Sequence, residues 1–213
     1  MDGPDRWVQP VALEGRFVRL EPLNLSHGKD LAEVGLEEQV WRWMPVPVRS
    51  AAAMREHIGQ ALAEVEAGRQ VAFATIERAS GRAVGSTRYL SIEPAHRRLE
   101  IGYTWLAPPW QRTSINREAK LLMLEHAFER LGVLRVEFKT DARNEQSRRA
   151  LRGIGAVEEG TLRRHMLTFA GRRDSVYFSV IVDEWPEVRQ WLRAALYGTG
   201  SSSARDTDAG RPA

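Results

Sequence analysis

The chain has no cysteine. That excludes a disulfide framework, a thiolate metal site and a cysteine nucleophile, and it makes a reducing compartment, the cytoplasm, the expected setting. Long hydrophobic runs are missing as well. No stretch approaches the ~18 apolar residues of a membrane-spanning helix, so no membrane partner is expected. The opening MDGPDRWVQP carries neither the basic nor the apolar segment of a signal peptide. Charge of one sign is scarce: Lys+Arg 31 against Asp+Glu 28 leaves +3, too little to imply a nucleic-acid partner. Lysine stands only at positions 29, 120 and 139, so nearly every cation is arginine. A GC-rich coding sequence and a use for bidentate anion contacts both account for that. Motifs that settle a chemistry at once are absent too. There is no GxxxxGK[ST] and no GxGxxG, and Gly85-Ser86 does not belong to a GxSxG elbow. His27, His57, His96, His126 and His165 form no HExxH or comparable cluster, so no metal is expected.

What is present suits one globular domain. In 213 residues, 43% are hydrophobic and 28% charged, enough for one sizeable core and too few residues for two. Residues 1–12 and 198–213 are rich in Gly, Ser, Asp and Pro and are expected to be mobile, leaving a single folded unit over 13–197. A short strand is expected at 16–21. Ser26 then opens a helical pattern through Leu36, and the proline-broken 41–48 is a loop with large apolar side chains. Ser50 precedes a helix over 51–67 that Gly68 ends. Strands at 71–77 and 83–92 form a hairpin around Ala79-Ser80-Gly81. Over Arg98–Leu106, Leu99, Ile101, Tyr103 and Trp105 alternate with Arg98, Glu100, Gly102 and Thr104, the period of a strand. A buried helix is expected at 116–131, a strand at 135–140 and a short helix from Asn144 to Ile154. Strands at 156–163 and 175–182 and a helix at 186–196 close the chain. Hairpins in front and a strand–helix–strand unit near 98–140 predict a mixed α/β sheet of about seven mostly antiparallel strands, with helices on both faces and no doubly wound order.

The segment after residue 106 carries the first chemical hint. A strand, a polar turn (Gln111 to Asn116) and a long helix can hold an anion, because free N–H groups and the macrodipole meet at the helix start. Equally, Thr113, Ser114 or Asn116 can simply cap that helix.

Four segments in this order resemble the GCN5-related N-acetyltransferase (GNAT) superfamily, and within it the branch that acetylates N-termini of ribosomal proteins. They are WRWMPVP (41–47), the strand–turn–helix 99–124, NEQSRRALRGIGAVEEG (144–160) and 163–178, ending GRRDSVYF. The resemblance covers about residues 13–185. It implies an acetyltransferase fold, acetyl-CoA as cosubstrate and direct transfer to an amine without an acyl-enzyme. The family's pyrophosphate turn reads Q/R-x-x-G-x-G/A. Here it is Gln111, Arg112, Thr113, Ser114, Ile115 and Asn116, with both small positions replaced. The resemblance further implies that the 98–106 and 135–140 strands splay. The pantetheine arm would lie along the backbone of Tyr103, Trp105 and Leu106, with Asn144 bonding it and Ser147 beside the thioester sulfur.

Direct transfer needs a proton acceptor for the amine, a donor for the oxyanion and a proton for the thiolate. Glu100, placed on one face with Gly102 and Thr104, is the candidate base, against the alternative of an outward solubilising residue. Ser147 is the candidate partner of the thiolate, against a helix residue without duty. A backbone N–H near Leu106 suits the oxyanion. Trp41, Trp43 and Met44 would line one wall of the acceptor cleft, with Arg163 and His165 across from them, unless the tryptophans complete the core. The acceptor is a protein N-terminal amine or a small amine; an acyl-CoA sensor without catalysis is the third class. Dimers are common among similar proteins.

Overall fold

An eight-stranded sheet runs through the computed structural model, which describes residues 7–198. Its strands are β1 (Leu13–Glu14), β2 (Val18–Pro22), β3 (Val71–Glu77), β4 (Ala83–Glu93), β5 (Arg98–Leu106), β6 (Arg135–Asp141), β7 (Val157–Thr168) and β8 (Gly171–Ile181), in spatial order β1-β2-β3-β4-β5-β6-β8-β7. The eighth strand relative to expectation is the two-residue β1. Every neighbouring pair is antiparallel except β5 and β6. Parallel neighbours need a crossover, supplied by α4 (Ser114–Glu125).

The helices cover both faces. Leu121 and Leu124 of α4, Leu151 of α5 (Glu145–Arg152) and Leu192 of α6 (Trp185–Tyr197) pack with Phe73, Leu99 and Phe138 on one side. On the other, Leu31 of α1 (Gly28–Val34), Trp41 of α2 (Glu38–Trp41) and Ile58 of α3 (Ala51–Glu66) pack on Ala72, Ala74 and Ile76. Alternate residues of β3 therefore serve two separate cores, as the pleat dictates.

Local capping explains most boundaries. Ser50 Oγ accepts the Ala53 N–H at 3.1 Å, and Asn144 Oδ1 accepts the Ser147 N–H at 3.1 Å. At the first helical region the cap is Asn24, which accepts the Ser26 N–H at 2.9 Å, so Ser26 lies inside the turn it was expected to open. Of the loop expected at 41–48, only Trp41 is helical, as the last residue of a short helix over Glu38–Trp41, because the prolines begin only at 45. The central helix starts two residues before Asn116, with Thr113 as its cap. It passes into a π turn at His126–Arg130. At the front, Trp7 donates its indole N–H to Leu131 O at 3.0 Å and Val8 is buried. Packing thus extends ahead of Leu13 to Trp7, the first described residue; residues 1–6 and 199–213 lie outside the described residues.

Candidate active site

The parallel pairing of β5 with β6 is brief. Arg98, Leu99 and Glu100 face Arg135, Val136 and Glu137, and no pair follows, although β5 continues to Leu106 and β6 to Asp141. Beyond Glu100 the two strands part, as the resemblance implied. On its other edge β5 stays paired with β4, but with a bulge: Tyr103 and Thr104 together oppose Thr87, and Tyr103 takes a left-handed φ of 48°. The bulge reverses the alternation. Thr104, expected beside Glu100, turns to the α4 face. There Lys120 Nζ donates to Thr104 Oγ1 at 2.7 Å and to Thr87 Oγ1 at 3.3 Å. Trp105 turns the other way, into the core with Trp41.

Glu100 is not an outward solubilising residue. It is 3% exposed, and Lys139 of β6 donates to its Oε2 at 2.9 Å. Ser91 Oγ approaches the same oxygen at 3.5 Å. A carboxylate taken out of water needs such a partner. Gly102 leaves the space beside it open, since a Cβ there would stand 2.8 Å from Glu100 Oε1. Lys139 is in register with Tyr177 of β8, and His165 of β7 joins them: its Nδ1 lies 3.1 Å from Ser175 Oγ and its Nε2 3.4 Å from Tyr177 Oη. Desolvation, then the charges of Lys139 and Arg173, hold the His165 imidazole below its ordinary value. Arg173 is buried and donates from Nε to Ser175 Oγ at 3.0 Å. Glu100 and His165 are thus brought together by four adjacent strands, through Lys139, Ser175 and Tyr177.

One residue pair further along β4, Arg88 lies opposite Gly102 on the face of Glu100. It is 4% exposed, stacks 4.4 Å from the Tyr103 ring, donates to Gln70 Oε1 at 3.0 Å and lies 3.2 Å from His57 Nε2. Burial and the Arg88 charge push His57 down to about 4, so its imidazole is neutral and accepts that bond.

The other wall is mixed. Trp41 is buried, its indole N–H donated to Gly35 O at 2.6 Å and its ring 5.2 Å from that of Trp105; it completes the core. Trp43 is half-buried under the guanidinium of Arg143, which Asp141 holds at the end of β6. Met44 packs on the same core, and Pro45 O accepts the Phe169 N–H of the β7–β8 turn at 3.3 Å. Arg163 is not brought to Glu100. It lines a separate recess with Thr161, Leu162, Arg164 and Asp174.

At the start of α4, Arg112, Thr113 and Ser114 are exposed. Ser114 and Asn116 occupy the first turn with helical backbone, and the left-handed residue of this turn is Arg112, at φ 59°. Glycine is therefore not required at 114 or 116. Gln111 Nε2 donates to Leu106 O at 2.9 Å, and Gln146 of α5 donates to Gln111 Oε1 at 3.0 Å, which ties the turn to both sides of the parted strands. A cleft of about 600 Å3 lies beside the turn, lined by Trp110, Thr113, Ser114, Ile115, Arg16 and Arg78. Exposed first-turn amides with arginines nearby fit a diphosphate. Ser147 is half-buried one turn into α5.

Residues 18–157, well over half of the chain, match the family described as Acetyltransferase (GNAT) domain. The chain belongs to this family. A GCN5-related N-acetyltransferase from Brucella melitensis shares 34% identity, with a TM-score of 0.83 over 89% of this chain and 86% of that one. Mycobacterium smegmatis RimJ, solved in complex with CoA-disulfide, has a TM-score of 0.76 at 22% identity over 87% of this chain and 94% of its own, a likeness of fold. The Bacillus subtilis (strain 168) protein named "Putative ribosomal N-acetyltransferase YdaF" is 31% identical over 105 residues, 49% of this chain and 57% of that protein. The chain thus spans little more than half the length of the curated relatives it matches.

Proposed function

We propose that the chain transfers the acetyl group of acetyl-CoA directly to a primary amine, with a protein N-terminal amine as acceptor. The observation that carries the proposal is the parting of β5 and β6 beyond Glu100, with the start of α4 at the open end and a buried carboxylate at the closed end. The ribosomal name of the YdaF relative and the CoA-disulfide held by RimJ support the acceptor and the coenzyme.

Acetyl-CoA supplies the activated acyl carbon. The chain's own groups divide the remaining work. The amides of Thr113, Ser114 and Asn116, with Arg112, hold the diphosphate at the turn that Gln111 ties to Leu106. The edge of the β5 backbone that faces away from β4 over Tyr103, Trp105 and Leu106, together with the Asn144 side chain, aligns the pantetheine arm. A backbone N–H near Leu106 faces the oxyanion. Glu100 receives the amine proton, directly or through one water, and Lys139 balances its charge before that transfer. Ser147 donates to the departing sulfur. Trp43, Met44 and His165 border the acceptor's path. The enzyme works as a cytoplasmic homodimer in this proposal, and light scattering reads its mass.

Thermal shift with acetyl-CoA, followed by thiol release over a panel of amines, tests the whole. Stabilisation by acetyl-CoA together with release on N-terminal peptides is the expected result. Release with small amines alone moves the acceptor to that class; stabilisation without release makes the chain a sensor. No stabilisation removes the coenzyme and the proposal with it.

A further inference from the structure

Three donors on one face of the sheet beside the parted strands have no partner among the described residues. Among the buried side-chain atoms without a hydrogen bond are Ser86 Oγ, Arg88 Nε and Trp105 Nε1. Ser86 and Trp105 are direct cross-strand partners in β4 and β5, and Arg88 follows two residues along β4, about 7 Å on. All three residues are more than nine-tenths buried. A buried polar group normally finds a partner, and each exception calls for a reason.

Arg88 sharpens the point. Among the described residues it makes no ion pair, and its recorded partners are the neutral Gln70 and His57. Glu64, whose field reaches it, is held in a fork by Arg69 at 2.6 and 2.7 Å. A guanidinium out of water without a carboxylate is costly to keep. The charges around it lean the same way. Arg88, Lys139 and Arg173 are gathered near Glu100, while Asp141 is taken by Arg143. A guanidinium, an indole N–H and a hydroxyl in one row match a planar group of two anionic oxygens.

We infer that the acceptor carries a carboxylate close to its amine, and that Arg88, with Ser86 and Trp105, receives this carboxylate while the amine lies at Glu100. The inference rests on the acetyl-transfer proposal and narrows its acceptor. Glu100 faces Leu90, the next residue of β4 on Arg88's face, so the Arg88 end of the row is about 7 Å from Glu100 and the Ser86–Trp105 pair about 7 Å beyond Arg88. That separation suits the side-chain carboxylate of an N-terminal Asp or Glu; a free amino acid presents the same chemistry on a shorter span.

The test compares kcat/KM by thiol release for peptides of one length starting with Asp, Glu, Asn or Gln, and for free aspartate and glutamate. Acidic peptides should exceed their amides by about tenfold or more, the usual share of a charge-assisted bond. Arg88→Gln should abolish the ratio and Arg88→Lys should keep part of it, with stabilisation by acetyl-CoA retained in both. Ser86→Ala removes a hydroxyl that has no partner among the described residues, and so reads the same ratio in a variant without a lost bond to them; a fall of about threefold is expected. If the free acids outrun the peptides, the carboxylate site stands and its source is the amino acid. Acetylation of acids and amides at equal rates overturns the inference while leaving acetyl transfer intact, and a ratio unchanged in Arg88→Gln does the same. Absence of both acetyl-CoA stabilisation and release fails the underlying proposal instead.

Discussion

Two glutamates share almost the same burial and almost nothing else. Glu118, in α4, is 0% exposed and its carboxylate is saturated. It accepts the backbone N–H groups of Arg16, Phe17 and Val18 at 2.6–2.8 Å and the Tyr197 hydroxyl at 2.6 Å. Gly15 makes the approach possible, because a Cβ there would stand 2.4 Å from Glu118 Cδ. Burial and the Glu118 carboxylate push the Tyr197 phenol well up in return. This carboxylate staples the start of β2 and the C-terminal helix to the central helix. Glu100 is 3% exposed, has one strong donor in Lys139, and borders the parted strands. Burial alone does not distinguish a structural acid from a reactive one. The number of donors already spent on it does, since a saturated carboxylate has no lone pair left for a proton.

Exchanging each acid for its amide separates the two regions. Glu118→Gln removes the charge and aims an NH2 at N–H donors, so at least one buried donor is orphaned. A loss of about 3–5 kcal/mol in urea unfolding is expected. Glu100→Gln should cost far less stability, since Lys139 keeps solvent contact, but should lower kcat by a hundredfold or more, the usual share of a positioned base. Acetyl-CoA stabilisation should survive in it. Comparable activity in Glu100→Gln and the parent would move the base elsewhere, with His165 the next group to replace.

The two regions also differed in how much of them the sequence exposed. Caps at Ser50, Thr113 and Asn144 are written within three residues of what they cap, so local pattern finds them. The strand at 98–106 was legible by its period as far as Ile101. There the pattern fails, because the bulge depends on how β5 registers against β4: two residues, Tyr103 and Thr104, face one, Thr87. No local signal marks that mismatch, and it sends Thr104 and Trp105 to the faces opposite those expected. Glu100 was singled out for its type and position, but its partner was not, since Lys139 is 39 residues away and meets it only through the brief β5–β6 pairing. One signal was available. With lysine at only three positions, the two within or beside the strand–helix–strand unit expected near 98–140, 120 and 139, stand out, and both are tied to β5 side chains. Trp41 and Trp43 are two residues apart, and only packing separates core from cleft wall.

Lys120 gives the next contrast, a buried cation paired with neutral hydroxyls where Lys139 has a carboxylate. Burial takes its amine from 10.5 to about 7. Between those values the unfolded chain holds one proton more than the folded one, so stability rises with pH across that window, is lost as pH falls from 10.5 toward 7, and changes no further from this source below 7. From pH 7 to 9 this source adds at most about 2–3 kcal/mol. Lys120→Met leaves the 2.7 Å contact between Thr87 and Thr104 and should be the more stable protein at pH 6.5. Its advantage should shrink steadily toward pH 9.5 in unfolding experiments. A constant gap across that range would mean the amine stays charged when buried.

The smallest effect is expected on the far side of the parted strands. Ser147 gives its N–H to Asn144, so its backbone belongs to the cap and only the hydroxyl is in question. Ser147→Ala removes one neutral donor to a sulfur, which is worth about fivefold to tenfold in kcat, with KM for acetyl-CoA unmoved. Asn144→Ala strips the cap itself and should cost about 1 kcal/mol of stability besides any change in rate. If Ser147→Ala raises KM as much as it lowers kcat, the hydroxyl acts in binding rather than on the leaving sulfur, and Glu100 is left as the one side chain that discriminates the transition state.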